Sequence, residues 1–282
     1  MNYEVKIGCH VSIAKSVDLA FDRAKDIGCA TFQIFTKNPR GWAFKGLSSE
    51  EIERFRDKNL KYNMSPIVAH ISYLSNLASL DKEIYQKSIE SFLREIEICF
   101  LLGIPYFVVH SGSYKGGSFQ EGFERYVSSI QRGIDAGKHK ITILVENSAS
   151  GEKALTGTFS NIKNILEEIN DQNVQVCFDT CHAFVAGYDI SSKKGIVDFV
   201  TEVESTIGLR SISIIHANDS KTDVGSHRDL HEHLGLGKIG EIAFTELINN
   251  ESLKKKPWIL ETPLDSIRND FENINYLRSL IK

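Results

Sequence analysis

Side chains that bind metal ions recur along this sequence at the ends of short apolar segments. A buried imidazole or carboxylate is costly unless it is paired or coordinated, so a set this large predicts a site that holds several ions. Imidazole and carboxylate without thiolate favour Zn²⁺ or Mn²⁺ over Mg²⁺, and zinc is the first choice. The residues are His10, His70, His110, Glu146, Asp179, His182, His216, Asp229, His231 and Glu261.

Eight apolar, β-branched segments that alternate with helical patterns must position these residues. Apolar residues keep helical spacing between the segments, as at Phe119, Phe123 and Val127. Ser48 or Ser49 followed by Glu51 predicts a helix start, and Gly28 and Gly103 predict helix ends. The strands are predicted at residues 5–10, 30–36, 66–70, 106–110, 141–146, 174–179, 211–216 and 258–261.

This alternation predicts an α/β fold with one (β/α)₈ TIM barrel over residues 1–282, close to the usual size of about 250 residues. No Pro/Gly-rich linker or change in composition interrupts it. A doubly wound sheet is the alternative, but it places its ligand at one switch point, whereas polar residues end nearly every strand here. In a barrel the carboxyl ends of all strands meet on one face, so we expect the metal site there.

The composition is that of an ordinary globular protein, with 41% hydrophobic and 25% charged residues. No apolar run is long enough for a membrane span and no signal peptide is present, so we expect a soluble, cytoplasmic protein. The 5 cysteines are expected to be reduced and mostly buried. A formal net charge of -4 argues against binding a polyanion by bulk charge alone.

Two local motifs suggest other chemistry. Cys177 and Cys181 precede His182 with a spacing that differs from haem attachment, and strand alternation favours barrel packing for Cys177. A nucleophile pair of Cys181 and His182 stays open as an alternative. Gly235-Leu-Gly-Lys-Ile-Gly240 matches a dinucleotide fingerprint by letter, but no strand precedes it, so a turn before a helix near residues 242–248 is predicted instead.

The motifs together closely resemble endonuclease IV, the zinc-dependent apurinic/apyrimidinic endonuclease family, essentially from end to end. The segments that carry the resemblance are Gly8-Cys-His-Val-Ser12, Phe35-Thr-Lys-Asn-Pro-Arg-Gly-Trp42, His70-Ile-Ser-Tyr-Leu74, His110-Ser-Gly-Ser113, Val145-Glu-Asn147, Phe178-Asp-Thr-Cys-His-Ala-Phe184, His216-Ala-Asn-Asp219, Asp229-Leu-His-Glu-His-Leu-Gly-Leu-Gly-Lys-Ile-Gly240 and Leu260-Glu-Thr262.

The resemblance implies three zinc ions, with Mn²⁺ as a partial substitute, and Glu146 shared between the first two. It implies His70, His110 and Glu146 around the first ion, Glu146, Asp179, His216 and Glu261 around the second, and His182, Asp229 and His231 around the third. Glu146, His110 and Glu261 are the residues for which it implies a catalytic role, and His10 is expected beside the ligands, where it would orient one of them or a phosphate.

The activity that the resemblance implies is DNA repair. A metal-assisted hydrolysis would cut duplex DNA on the 5′ side of an abasic site, leaving a 3′-hydroxyl and a 5′-deoxyribose phosphate, and would also trim blocked 3′ ends. An abasic nucleotide has lost base stacking and pairing, so little free energy is needed to extrude it from the duplex. Arg40, Tyr73 and Leu74 are the expected wedge in the minor groove.

Four positions depart from the familiar family pattern. Lys15 and Ser16 stand where a Gly-Gly pair is frequent, Leu230 stands where Arg is common, and Leu236 occupies a position that is often polar. These differences lie in loops, so they affect the expected DNA contacts and leave the metal ligands intact.

Two other functions fit the same barrel. A metal-dependent sugar isomerase or epimerase needs fewer ligands, and it gives no purpose to the third ligand set or to the wedge. A catalytically silent lesion binder should have lost a ligand, and none is lost. The sequence therefore favours the repair enzyme, and a monomer is expected.

Overall fold

Eight parallel strands form the barrel in the computed structural model, which describes residues 4–149, 151 and 153–282. Two further short strands, β8 (Asp219–Ser220) and β9 (His231–Glu232), form an antiparallel ribbon above it. The barrel strands are β1 (Ile7–Cys9), β2 (Phe32–Phe35), β3 (Ile67–His70), β4 (Tyr106–Val109), β5 (Thr142–Glu146), β6 (Val174–Asp179), β7 (Ile212–His216) and β10 (Trp258–Leu260).

The strand order is that of a nearly closed barrel. Neighbouring strands pair in the order β1-β10-β7-β6-β5-β4-β3-β2. The two ends of this series meet through backbone bonds, because Ala30 N–H donates to the Ile7 carbonyl and Val11 N–H donates to the Gln33 carbonyl, each at 2.8 Å. The (β/α)₈ prediction and its strand positions are confirmed.

Nine α-helices lie within the described residues, and most of them cross from one barrel strand to the next. Ser48 and Glu51 form the expected capping box, and Gly28 and Gly103 end their helices at φ 82° and 73°. None of these helices is long and apolar enough to cross a membrane. They are α1 (Leu19–Ile27), α2 (Ser49–Tyr62), α3 (Lys82–Leu102), α4 (Phe119–Ala136), α5 (Phe159–Ile169), α6 (Thr180–Ala186), α7 (Lys193–Thr206), α8 (Gly240–Ile248) and α9 (Asp270–Ser279).

Apolar side chains fill two regions. The larger one lies between the strands and the surrounding helices, and all five cysteines are buried and free of disulfides. The smaller one is a layer of fully buried side chains inside the barrel, which includes Cys177 as predicted. This inner layer consists of Val68, Val108, Leu144, Cys177, Ile214 and Ile259.

Candidate metal centre

The structure brings the first two predicted ligand sets together at the carboxyl ends of the barrel strands. Within each set, one nitrogen or oxygen atom per residue lies within 4.8 Å of the others. All the residues of these sets except His110 and Glu261 are buried. The sets are His70, His110 and Glu146, and Glu146, Asp179, His216 and Glu261.

Glu146 occupies the middle of the site at the end of β5. Its Oε2 lies 3.3 Å from Nε2 of His70 and 3.2 Å from Nδ1 of His110. Its Oε1 lies 2.9 Å from Nδ1 of His216. The carboxylate is fully buried, and its two oxygens face different ligand sets, which is the arrangement that a residue shared between two ions requires.

The third predicted set meets around Asp229, in the loop between β8 and β9. Oδ1 of Asp229 lies 3.0 Å from Nε2 of His231, and Oδ2 lies 3.1 Å from Nε2 of His182. The side chain of Asp229 is 50% exposed. Two sets of residues here have ligand atoms that all lie within 4.8 Å of one another. The first set is Asp179, His182 and His231, and the second is Cys181, Asp229 and His231. This part of the centre is therefore more open than the other two.

Hydrogen bonds fix the orientation of three imidazole rings. In each ring Nδ1 lies within bonding distance of a backbone carbonyl, so it donates its proton there and directs Nε2 towards the carboxylates. Nε2 of His231 is buried and has no hydrogen-bond partner among the described residues, although Asp229 is near. Such nitrogens beside carboxylate oxygens form the donor set of zinc, so the residues fit that metal. The contacts are His70 to Ile71 at 2.8 Å, His182 to Asn147 at 2.9 Å and His231 to Glu261 at 3.0 Å.

The electrostatics of the centre also indicate a demand for positive charge. Burial lowers the pKa of His231, but Asp229, Asp179 and Glu261 together raise that pKa to about 9. Burial similarly opposes the ionisation of Asp229, yet His182 and His231 hold its pKa well below the usual range. A proton on the His231 ring thus occupies the role that a cation fills when a metal binds, and metal binding must release it.

Gln33 on β2 is a site residue that the sequence reasoning missed. It is fully buried, and its Oε1 accepts the Nε2 proton of His216 at 2.9 Å, which turns Nδ1 towards the centre. Its Nε2 donates to Oε1 of Glu261 at 2.6 Å and lies 3.1 Å from Nδ1 of His10. A single amide in the apolar strand Phe32–Phe35 was the available signal.

His10 lies beside the ligand sets. Its Nδ1 is 3.8 Å from Oε1 of Glu261, and its ring packs against Phe35 with the centroids 4.3 Å apart. Burial lowers the pKa of His10, and Glu261 opposes that effect. The ring therefore contacts one predicted ligand, as expected from the sequence.

Two asparagines hold the backbone and side chain of Asp179. Nδ2 of Asn147 donates to the Asp179 carbonyl at 3.0 Å, and Oδ1 of Asn147 accepts from the Asp179 N–H at 2.7 Å. Nδ2 of Asn218 donates to Oδ2 of Asp179 at 2.7 Å, while its Oδ1 accepts from the Glu261 N–H at 2.9 Å. These amides fix the carboxylate at the end of β6 relative to the end of β10.

The glycine-rich segment 235–240 wraps around the carboxylate of Asp219. Asp219 is fully buried and accepts hydrogen bonds from a set of backbone N–H groups. A Cβ at Gly237 would lie 2.4 Å from Oδ1 of Asp219, so only glycine fits there. The segment is thus the turn before α8 that the sequence predicts, and it supports the ribbon that carries His231. The donors are Ser220 at 2.7 Å, Gly235 at 2.9 Å, Gly237 at 3.1 Å, Ile239 at 2.9 Å and Gly240 at 3.3 Å.

Two adjoining cavities, of about 450 and 390 Å³, open over the ligands. Tyr73 borders both cavities and is 61% exposed, and Leu74 borders the second. The Tyr73 ring packs against Phe35 with the centroids 5.0 Å apart. Arg40 is exposed in the loop after β2 and does not line either cavity. The expected wedge residues therefore lie at and near the rim of the site.

The departures from the family pattern are on the surface. Lys15 has φ 75°, in the left-handed region that glycine favours, which agrees with the expectation of a glycine at this position. Leu230 is 43% exposed and lines the larger cavity, and Leu236 is 52% exposed. The ligand sets are untouched by these substitutions.

Comparison with known proteins decides the family. A family model described as a xylose isomerase-like TIM barrel matches residues 21–280. The probable endonuclease 4 of Methanoculleus marisnigri is 43% identical, over 98% of this chain and 99% of that protein. The chain belongs to the endonuclease IV family.

A solved structure of an endonuclease IV agrees with this assignment. The crystal structure of endonuclease IV from Thermus thermophilus superposes with a TM-score of 0.87 at 34% identity, covering 98% of each chain. A D-tagatose 3-epimerase-like protein superposes with a TM-score of 0.72 at 22% identity over 98% of this chain and 96% of its own, which shows a common fold alone. The resemblance to endonuclease IV seen in the sequence motifs is confirmed.

Proposed function

We propose that this member of the endonuclease IV family is a zinc-dependent DNA repair endonuclease. It hydrolyses the phosphodiester 5′ to an abasic site in duplex DNA, leaving a 3′-hydroxyl and a 5′-deoxyribose phosphate, and removes blocking groups from 3′ ends. It acts as a monomer in the cytoplasm. The observation that carries the proposal is the buried Glu146 carboxylate, whose two oxygens face two ligand sets beneath an open cavity.

Three zinc ions are proposed, one for each ligand set. When bound, they supply Lewis acidity that polarises the phosphodiester and acidifies water. Glu146 is the residue shared between two of them, and His110 and Glu261 complete the catalytic group. The full ligand list is His70, His110 and Glu146, then Glu146, Asp179, His216 and Glu261, then His182, Asp229 and His231.

The protein's own groups keep this centre rigid and charged. Gln33 and the backbone carbonyls orient the histidine rings, so little reorganisation is needed when substrate arrives. The four carboxylates of the centre would repel a phosphodiester by themselves. Bound cations reverse that repulsion, which explains how an acidic chain can attract DNA phosphate at one place.

The rim residues give the proposed specificity. Tyr73 and Leu74 are exposed apolar side chains next to the ligands, where they can fill the space that an extruded nucleotide leaves. Arg40 extends from the neighbouring loop, where it can contact the backbone or the minor groove. A nucleotide without a base costs least to extrude, so the cavity selects it over intact DNA.

Incision of a duplex that carries one tetrahydrofuran abasic analogue tests the function. The zinc-loaded protein should cut on the 5′ side of the analogue and leave a 3′ end that a polymerase extends. The analogue blocks β-elimination, so this product reports hydrolysis. No incision by the fully zinc-loaded protein would contradict the repair function and direct the search to sugar isomerisation or epimerisation.

A further inference from the structure

Glu95 is a fully buried carboxylate on α3 that takes no part in the metal centre. Acidic side chains are rarely fully buried unless they are paired. No cation forms an ion pair with it within 4.0 Å among the described residues; Lys37 acts only from farther away. Burial raises the pKa of the Glu95 carboxyl, and the Lys37 charge lowers it. Such a group needs a structural or functional reason.

Three hydroxyl groups bind the Glu95 carboxylate. Thr36 Oγ1 donates to Oε2 at 3.1 Å, and Ser72 and Ser91 donate to Oε1, each at 3.0 Å. Ser91 belongs to the same helix, whereas Thr36 follows β2 and Ser72 follows β3. One carboxylate therefore connects Thr36, the first residue after β2, with Ser72, the second residue after β3, at the carboxyl ends of neighbouring strands.

The loop after β2 continues from this anchor to Arg40. Lys37, the next residue after Thr36, is buried, and its Nζ donates to the Gly41 carbonyl at 2.5 Å. The Arg40 N–H donates to Oδ1 of Asn38 at 3.0 Å. These two bonds close a compact turn, so its position depends on where Thr36 and Lys37 are held.

The loop after β3 carries Tyr73 and Leu74 directly after Ser72. The Ser72 hydroxyl also contacts the Ser75 hydroxyl at 3.2 Å, which closes the turn on which the two side chains stand. The Tyr73 ring packs on Phe35, at the end of β2. The loop after β3 thus contacts the end of β2, the strand from which the loop that carries Arg40 begins.

We propose that Glu95 is a positioning residue for DNA recognition, which through Thr36 and Ser72 sets the placement of Arg40 relative to Tyr73 and Leu74. This inference rests on the proposed function, because it takes these side chains as the wedge. Among the described residues, Glu95 is fully buried and is hydrogen-bonded to three hydroxyl groups and to none of the predicted ligands. Its effect is on the geometry of the rim, so it should alter substrate binding and leave the chemical step unchanged.

Glu95→Gln is the first test, with Glu97→Gln on the exposed side of the same helix as control. The amide has one acceptor oxygen and an NH2 group in place of two acceptor oxygens, so the hydroxyl groups of the two loops can no longer both donate to one carboxylate. We expect the KM for abasic duplex to rise by about tenfold, equivalent to about 1.4 kcal/mol, with kcat within about twofold of wild type. Zinc content should be unchanged. An unchanged KM, or a loss of zinc, would overturn the proposal.

The second test does not depend on DNA. Trp42 lies in the loop after β2 and is 37% exposed, whereas Trp258, the other tryptophan, is fully buried. Acrylamide quenching of the accessible tryptophan therefore reports the mobility of this loop. Quenching should increase in Glu95→Gln and in Thr36→Val, which removes only one hydroxyl, and should stay at the wild-type value in Glu97→Gln.

The variant Ser72→Ala distinguishes the contribution of the loop after β3 from that of the loop after β2. It should raise the KM and leave Trp42 quenching near the wild-type value, because it releases only the loop after β3. Thr36→Val and Ser72→Ala keep the test informative if Glu95→Gln folds poorly. Unchanged quenching in Thr36→Val would refute the positioning role. A different result would refute the proposed function instead: the variants alter Trp42 quenching as expected, but the wild-type protein neither binds nor cuts abasic DNA.

Discussion

Replacing Asp219 by Asn should selectively weaken the third ligand set. Asp219 lies on β8, whose partner β9 carries His231, and its carboxylate accepts five backbone N–H groups. Oδ1 accepts from Ser220 and Ile239, and Oδ2 accepts from the three glycines of the turn before α8. An asparagine has one acceptor oxygen, so its amide nitrogen must face at least two of these donors.

The expected cost follows from that count. A buried N–H that loses its acceptor costs about 1–3 kcal/mol, so two of them give about 2–6 kcal/mol. The melting temperature should fall by about 2–4 °C for each kcal/mol in a chain near this size. Because the lost hydrogen bonds lie in segment 219–240, this segment should unfold before the barrel does. Its unfolding would release the ribbon and loop that hold Asp229 and His231.

Zinc content and thermal unfolding measured on the same sample are the assay. Asp219→Asn should fold with barrel circular dichroism, unfold at least about 4 °C below wild type and bind one zinc ion fewer. Asp223→Asn, on the same loop with 81% exposure, should change neither value. A variant with the wild-type melting temperature and its full zinc content would refute the reasoning, because the turn would then not depend on the carboxylate.

Three other substitutions test the site. Glu146→Gln removes the charge of the carboxylate between two ligand sets, so incision should be abolished and zinc content lowered; full activity would exclude the shared role. Tyr73→Ala should weaken binding to abasic duplex in a gel-shift titration without altering zinc content, and unaltered affinity would remove Tyr73 from the wedge. Gln33→Met leaves the His216 proton without an acceptor and Oε1 of Glu261 without the Gln33 donor. Zinc affinity, measured by competition with a chromophoric chelator, should therefore fall by about 10–100-fold. Wild-type affinity would show that Gln33 does not orient these ligands.

The barrel and most of the ligand geometry could be predicted from the sequence for one physical reason. Strand and helix periods are local, and parallel strands in a barrel bring their carboxyl ends to one face. Glu146 and His216, 70 residues apart, therefore meet without any knowledge of their side-chain contacts. The more open third ligand set shows the limit of this argument. Asp229 lies on a loop, and no periodic pattern in the sequence predicts the path of a loop.

Gln33 and Glu95 could not be predicted in this way. Each depends on side chains from other strands and loops, as in the bonds from Gln33 to Glu261 and from Thr36 to Glu95. By sequence alone, Glu95 is one more acidic residue on an amphipathic helix, and its burial follows from how two loops pack over that helix. The partners of Asp219 are backbone groups, which leave no signature in residue type except the glycines.

The inner apolar layer of the barrel, which includes Cys177 and Leu144, consists of fully buried side chains. It closes the interior beneath the ligands, so ions and substrate reach the site through the same mouth. Under the proposed function, a duplex seated over that mouth would cap the bound ions. Metal loading would then precede DNA binding, and a chelator should strip the free enzyme faster than the enzyme–DNA complex. Repair in progress would thus be insulated from a fall in the surrounding zinc supply.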